Sequence, residues 1–152
     1  MEILKPGSIK LDFLEGIFRN KSKVTMDLSL KGKIEKSAKI VEASTKGSLP
    51  VYGVNTGFGK LANKIIPEED SEQLQKNLVL SHCSGIGVPL PEDVTRLMMI
   101  LKMISLSFGA SGVKWSTINQ IEKIINSGII PEIPHQGSVG ASGDLAPLAH
   151  MA

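Results

Sequence analysis

The chain has 152 residues, of which 41% are hydrophobic and 4% aromatic, and its formal net charge is +2. These values exclude a collagen-like repeat, argue against intrinsic disorder, and give no sign of a nucleic-acid-binding surface. The single cysteine, Cys83, rules out an intrachain disulfide and favours a reducing compartment. The sequence contains neither an apolar run of membrane-spanning length nor a signal-peptide pattern, so a cytoplasmic location is expected.

The first third of the chain predicts one clear helix. Residues 1–31 hold short apolar stretches between polar breaks, and their pattern does not separate helix from strand. Residues 33–46 predict a helix whose interleaved lysines and glutamates form a solvated face. Residues 49–54 predict extended chain because Pro50 disfavours a helical conformation at the residue before it. Residues 55–59 predict a loop.

Three further helices are predicted in the middle of the chain. The first runs from about Ser71 to Ser84, the second starts at Pro91, and the third is capped by Ser116 and ended by Gly128. The spacing of apolar residues predicts which faces are buried. These positions are Val94, Leu97, Met98, Leu101 and Ser105 in the second helix, and Ile118, Ile121 and Ile125 in the third.

A long irregular loop is predicted over residues 129–144, which hold Pro131, Pro134 and three glycines. Loops of this length inside a compact domain are usually functional. Asp144 is expected to cap a helix that begins at Leu145. The fold predicted for the chain as a whole is therefore mostly α, with short extended segments and long loops.

The tripeptide Ala-Ser-Gly occurs twice in the sequence, and its surroundings differ. The copy at 110–112 follows a helix-like run and predicts an ordinary turn before the next helix. The copy at 141–143 lies among further glycines and directly before the predicted helix start. Because glycine permits turns that a Cβ forbids, this second copy predicts a tight, strained loop aimed at a helix N-terminus.

Residues 137–150, GSVGASGDLAPLAH, resemble the signature of the aromatic amino acid ammonia-lyases, the family acting on histidine, phenylalanine and tyrosine. In that family Ala-Ser-Gly cyclises without help into the electrophile 4-methylideneimidazole-5-one (MIO). The resemblance implies that Ala141, Ser142 and Gly143 form this ring, by attack of the Gly143 nitrogen on the Ala141 carbonyl carbon and loss of two waters. It implies no metal and no diffusible cofactor. We also expect the N-terminal end of the following helix, at Asp144, to stabilise electron density pushed into the ring.

Residues 51–59, VYGVNTGFG, resemble a second hallmark of the family. There the tyrosine at the position of Tyr52 removes the β-proton of the substrate, so the resemblance implies that Tyr52 is the catalytic base. An ordinary tyrosine anchored in a turn is the alternative. A phenol titrates near 10 in water, so a base at this position needs cationic or hydrogen-bonding neighbours.

Residues 78–85 resemble the segment that sets substrate selectivity in the family. The pair Ser81-His82 is the pattern of the histidine-specific members, where this histidine contacts the substrate imidazole. Phenylalanine-specific members typically carry Phe-Leu there and tyrosine-specific members His-Leu. His82 shares an apolar helix face with Leu74 and Leu78, so a satisfied core histidine is the alternative.

The resemblance covers the N-terminal portion of the family, so residues 1–152 are expected to be a fragment of the all-helical ammonia-lyase fold. The implied function is deamination of L-histidine to trans-urocanate and ammonia by a homotetramer whose active sites combine several subunits. The isolated chain is then expected to be inactive. An ammonia-lyase or aminomutase acting on tyrosine or phenylalanine, or a fragment serving only folding or partner contacts, are the alternatives. His135 and His150 have no local partner at metal-ligand spacing, so no metal site is expected.

Overall fold

The computed structural model describes residues 1–152 and contains six α-helices and four short β-strands. The helices are α1 (Leu11–Asn20), α2 (Lys31–Thr45), α3 (Glu68–His82), α4 (Glu92–Leu106), α5 (Trp115–Ser127) and α6 (Leu145–Met151). The strands are β1 (Glu2–Leu4), β2 (Val24–Met26), β3 (Ile86–Pro89) and β4 (Pro134–Gln136). This confirms the mostly α prediction. None of the helices is both long and apolar enough to cross a lipid bilayer.

The hydrophobic core joins the N-terminal strands to the central helices. β1 and β2 pair in parallel, with Glu2 opposite Val24 and Leu4 opposite Met26. Each large apolar side chain buried in such a core contributes about 1.5–3 kcal/mol. The ten members of the core cluster are Leu4, Ile17, Val24, Met26, Ile34, Met99, Ile100, Met103, Ile118 and Ile125. The N-terminal segment that sequence patterns left undecided thus contributes one helix and two strands.

Helix α4 buries a different face from the predicted one. Its buried residues are Thr95, Met99, Ile100 and Met103. Of the positions expected to face the core, Val94, Leu101 and Ser105 are exposed, and Leu97 and Met98 are only partly buried. The helix carries apolar residues on nearly all sides, so its periodicity could not identify the inward face. The face predicted for α5 is confirmed, with Ile118 and Ile125 buried and Ile121 partly buried.

Helix ends follow local chemistry closely, with two differences. Gly128 ends α5 in a left-handed conformation, with φ 77°, as predicted. Ser116 lies inside the first turn of α5, and Lys114 takes the capping position without a side-chain hydrogen bond. Helix α3 begins earlier than predicted, directly after Pro67, since three acidic residues favour its first turn.

Extended chain was predicted over residues 49–54, but residues 52–54 form a turn, and residues 50 and 51 have no regular secondary structure. The N–H groups of Val54 and Asn55 both donate to the carbonyl oxygen of Val51, at 3.0 and 3.2 Å. The reason is tertiary, because the buried side chain of Asn55 folds this segment back toward the end of α2.

A second sheet and α6 position the glycine-rich loop. β3 and β4 pair antiparallel, with Ile86 opposite Gln136, so a strand interrupts the loop predicted over residues 129–144. A short 3₁₀ turn over Gly140–Ser142 follows, and then α6, which packs against α3. The end of α3, the β3–β4 pair and the glycine-rich loop are therefore neighbours in space.

Candidate active site

The loop that holds Ala141, Ser142 and Gly143 is exposed. The N–H and the hydroxyl of Ser142 both donate to the carbonyl oxygen of Val139, at 2.9 Å each. The N–H of Gly143 makes only a long bond of 3.3 Å to Gly140. Gly143 has φ +89°, which favours glycine, and a Cβ built there would meet nothing within 4 Å. The N–H of Gly143 is thus weakly held, which fits the ring closure that the resemblance implies.

The two ends of this loop are tied together by side chains. The hydroxyl of Ser138 donates to a carboxylate oxygen of Asp144. Asp144 takes the N-cap position of α6 as predicted, but its backbone is left-handed, with φ 57°. Its side chain makes no hydrogen bond to the helix, contrary to the predicted capping role, because this backbone conformation directs it to Ser138 instead.

The second Ala-Ser-Gly copy is a packed turn, as predicted. Gly112 has φ +73°, and a Cβ built on it would lie 2.2 Å from Cγ2 of Val41 on α2. Its N–H donates to the hydroxyl of Ser37 at 3.2 Å. Gly112 is therefore held tightly against a helix, whereas Gly143 faces open space.

Tyr52 lies on the surface and is 65% exposed. Its ring packs edge-on against Phe58, with a centroid distance of 5.8 Å and an interplanar angle of 74°. Gly53 follows with φ +72°, and a Cβ there would touch the Phe58 ring at 3.4 Å. The two aromatic rings and this glycine form a compact loop that presents Tyr52 to solvent.

Asn55 holds that loop from inside, a role the sequence did not reveal. It is 4% exposed. Its amide nitrogen donates to the carbonyl oxygens of Ser44, Gly47 and Leu49, at 3.2, 3.3 and 2.9 Å. Its side-chain oxygen accepts the N–H of Val51 at 2.7 Å. The position between two glycines in the motif was the only sequence signal for this buried residue.

His82 is the last residue of α3, and its tautomer follows from its hydrogen bond. Nδ1 lies 2.7 Å from the carbonyl oxygen of Leu78, and Ser81 Oγ donates to the same oxygen at 3.1 Å. A carbonyl only accepts, so Nδ1 carries a proton, and in the neutral ring Nε2 then keeps a free lone pair. His82 can therefore accept a hydrogen bond through Nε2.

His82 also lines a small cleft between α3 and α6, of about 160 Å³. Leu78 and Val79 form its α3 side, and Leu145 and Ala149 belong to the α6 side. Because α6 begins two residues after Gly143, the cleft brings His82 to the helix that follows the glycine-rich loop.

The Tyr52 loop is not joined to these segments by hydrogen bonds. No hydrogen bond connects residues 51–59 to residues 78–85 or 137–144. Tyr52 is also absent from the lining of three cavities that border α6. Within one chain His82 therefore lies beside α6, the helix that follows the Ala141–Gly143 loop, and Tyr52 shares neither a hydrogen bond nor one of these cavities with it.

The other polar groups near the loop bind backbone atoms. Nδ1 of His135 donates to the carbonyl oxygen of Val88 at 3.0 Å, across the β3–β4 pair. No group of three or more histidine, cysteine, aspartate or glutamate side chains is placed to hold a metal ion.

The solved structures similar to this chain include three with different activities. Phenylalanine aminomutase from Pantoea agglomerans is 30% identical, with a TM-score of 0.90, over 99% of this chain and 29% of that one. Histidine ammonia-lyase from Trypanosoma cruzi is 32% identical, with a TM-score of 0.85, over 99% and 28%. The ergothioneine-degrading ergothionase from Treponema denticola is 26% identical, with a TM-score of 0.92, over 99% and 30%.

The chain spans less than a third of the length of these structures. A family profile described as aromatic amino acid lyase matches residues 9–152, which is nearly the whole chain. Together with the sequence motifs and the shared fold, this match shows that the chain belongs to the aromatic amino acid lyase family.

Proposed function

We propose that this chain forms the electrophile-bearing part of a histidine ammonia-lyase, a cytoplasmic enzyme converting L-histidine to trans-urocanate and ammonia. The observation that carries the proposal is that His82 lines the cleft beside the helix that follows Ala141–Gly143, with Nδ1 engaged by Leu78. The 32% identity to histidine ammonia-lyase from Trypanosoma cruzi supports the same substrate.

The reaction needs an electrophile that ordinary side chains do not provide. An α-amino group is a poor leaving group and the β-proton is weakly acidic, so covalent help from an electron sink is required. A MIO ring made from Ala141, Ser142 and Gly143 would supply that sink. Its formation joins the Gly143 nitrogen to the Ala141 carbonyl carbon, and the carbonyl oxygen leaves as water with the N–H protons of Gly143 and Ser142. Ser142 then loses its Cα proton and its hydroxyl as a second water.

His82 would recognise the substrate by hydrogen bonding. Its Nδ1 proton is committed to Leu78, so Nε2 can accept an N–H from the imidazole of L-histidine. Phenylalanine offers no N–H on its ring, and a buried acceptor left without a donor costs about 1–3 kcal/mol. This difference favours histidine over phenylalanine at the site.

Tyr52 would remove the β-proton of the substrate, and Asn55 would hold the loop that presents it. The exposure of Tyr52 supports a site completed by another subunit or by further chain. We therefore propose a homotetramer in which the Tyr52 loop of one copy meets the glycine-rich loop of another.

Intact-mass measurement tests the electrophile. We expect the purified chain to be lighter than its sequence by two waters, with the loss mapped to the peptide that holds Ser142. Ser142→Ala removes the departing hydroxyl and should abolish the loss. Ser111→Ala, in the packed second tripeptide, is the matched control and should leave it unchanged. A full-mass chain, or loss of the effect in Ser111→Ala, contradicts the proposal.

Saturation-transfer NMR on an equimolar mixture of L-histidine, L-tyrosine and L-phenylalanine tests the substrate. We expect saturation of the imidazole protons, and His82→Leu should reduce it about fivefold because one hydrogen bond is lost. Cys83→Ala, at the next and exposed residue, is the control.

The runner-up is an ammonia-lyase or aminomutase acting on phenylalanine or tyrosine. The similarity to phenylalanine aminomutase from Pantoea agglomerans favours it, at 30% identity. In that case the phenyl or phenol protons would receive the stronger saturation, and His82→Leu would not weaken the saturation of phenylalanine, whose ring has no donor.

A further inference from the structure

One hydrogen bond connects α6 to the segment that follows α3. The backbone N–H of Gly85 donates to Nε2 of His150 at 3.0 Å, between residues 65 positions apart. Gly85 lies three residues after His82, and His150 lies on the helix that begins just after Gly143. The bond therefore links the two segments to which the proposed function assigns substrate recognition and the electrophile.

The chemistry of this bond defines the state of His150. A backbone N–H can only donate, so Nε2 of His150 must offer a lone pair, and the neutral ring carries its proton on Nδ1. His150 is partly buried and belongs to no metal cluster. Its ring acts here as a hydrogen-bond acceptor for the chain.

Glycines allow the three segments at this point to meet. A Cβ on Gly85 would lie 3.0 Å from His150 Nε2 and 3.2 Å from the carbonyl oxygen of Gln136. A Cβ on Gly137, which has φ +142°, would lie 3.1 Å from Cα of Gly85. Either Cβ would lie closer than ordinary van der Waals contact, so the segments approach this closely because both residues are glycine. With the hydrogen bond from Gly85 to His150, this close approach couples a shift of α6 to the chain at Gly85.

We infer that His150 is a positioning residue that sets the place of His82 relative to the Ala141–Gly143 loop. Its Nε2 holds Gly85, and Gly85 anchors the chain just beyond the end of α3. Loss of the acceptor frees that end, so the ring of His82 takes up a range of orientations and aromatic amino acids bind less tightly. The assignment of a substrate to His82 rests on the proposed function, whereas the mechanical link does not.

Replacing His150 by asparagine or by glutamine distinguishes the role of its hydrogen-bond acceptor from that of its side-chain volume. The oxygen of a glutamine side chain can reach the position of Nε2, whereas an asparagine oxygen is one methylene shorter. We expect His150→Asn to accelerate hydrogen exchange of the Gly85 amide about fivefold. The imidazole ¹H–¹⁵N signals of His82 should shift, and affinity for L-histidine should fall about fivefold. His150→Gln should restore all three measurements toward those of the unaltered chain.

Gly85→Ala perturbs the same hydrogen bond at its donor residue, and it replaces His150→Asn in the test if that variant does not fold. Its Cβ would crowd Nε2, so the same changes at His82 are expected. Unchanged His82 signals in a folded variant whose Gly85 amide exchanges faster would overturn the inference. Identical behaviour of the Asn and Gln variants would also overturn it. Absence of L-histidine binding by the unaltered chain counts against the proposed function alone, because the His82 signals still report the link.

Discussion

The side chain of Asn55 carries both a donor and an acceptor, and the loop around it uses both. Three carbonyl oxygens point at its amide nitrogen, and one N–H points at its oxygen. Buried backbone groups need such partners, since each one left unpaired costs about 1–3 kcal/mol. Asn55 therefore determines the shape of the loop that presents Tyr52, although it is not itself exposed to a substrate.

Asn55→Asp should be strongly destabilising although the two side chains have the same shape. A carboxylate has no donor and would face three carbonyl oxygens, so we expect the free energy of unfolding to fall by about 3 kcal/mol. Urea denaturation measures the change. Asn77→Asp is the matched control, because exposed Asn77 only accepts from Gln73, and an aspartate keeps that acceptor. Equal losses in the two variants would contradict this account.

At the scale of elements, α5 replaces a missing strand. β2 pairs with β1 along one edge, and side chains of α5 satisfy its other edge. Asn126 accepts the N–H of Val24 at 3.0 Å and donates to the Val24 carbonyl at 2.7 Å. The Glu122 carboxylate accepts from the Thr25 hydroxyl at 3.0 Å and from the Met26 N–H at 2.8 Å. An open strand edge is thereby closed without a third strand.

Asn126→Ala should show how much the side-chain hydrogen bonds to the β2 edge contribute to the free energy of unfolding. It leaves the N–H and the carbonyl of Val24 without partners, so we expect a loss of about 2 kcal/mol and faster exchange of the Val24 amide. Asn119→Ala, on the same helix, carries the same change in helix propensity and should alter stability by less than about 0.5 kcal/mol. Thermal unfolding with amide exchange compares the two variants. A similar loss in both would assign the effect to the helix and not to the strand edge.

At the scale of the whole molecule, hydrogen bonds connect only two of the three segments that carry the proposed catalytic groups. His82 and the Ala141–Gly143 loop are linked through α3, α6 and Gly85, while Tyr52 lies on a loop that makes no hydrogen bond to either. A base must come within hydrogen-bond reach of the proton that it removes. No hydrogen bond or shared cavity of the single chain holds the proposed base beside the proposed electrophile.

The purified 152-residue chain is therefore expected to form no urocanate when incubated with L-histidine. Ultraviolet absorbance of urocanate follows the reaction. The Ser142→Ala chain, prepared identically, reports any contaminating lyase. Urocanate that accumulates with the unaltered chain but not with Ser142→Ala would show that one chain suffices.

Local chemistry made several features predictable from the sequence. Gly128 ends α5 because glycine accepts a left-handed conformation, and the helix after Asp144 begins where capping and proline signals place it. The turn at 110–112 was also predictable, since its glycine follows a helix. The motifs that show family membership lie in short contiguous stretches, so no tertiary information was needed to read them.

Only the tertiary structure decided which surfaces meet. The buried face of α4 could not be predicted from the sequence because that helix is apolar on nearly all sides. Three other features also depend on contacts that no local sequence pattern predicts. They are the β3–β4 pairing, the burial of Asn55 and the hydrogen bond from Gly85 to His150. Composition and spacing encode local conformation, whereas these contacts depend on how the helices pack. By itself, the sequence determined which chemical groups this protein carries, and packing determined which of them lie side by side.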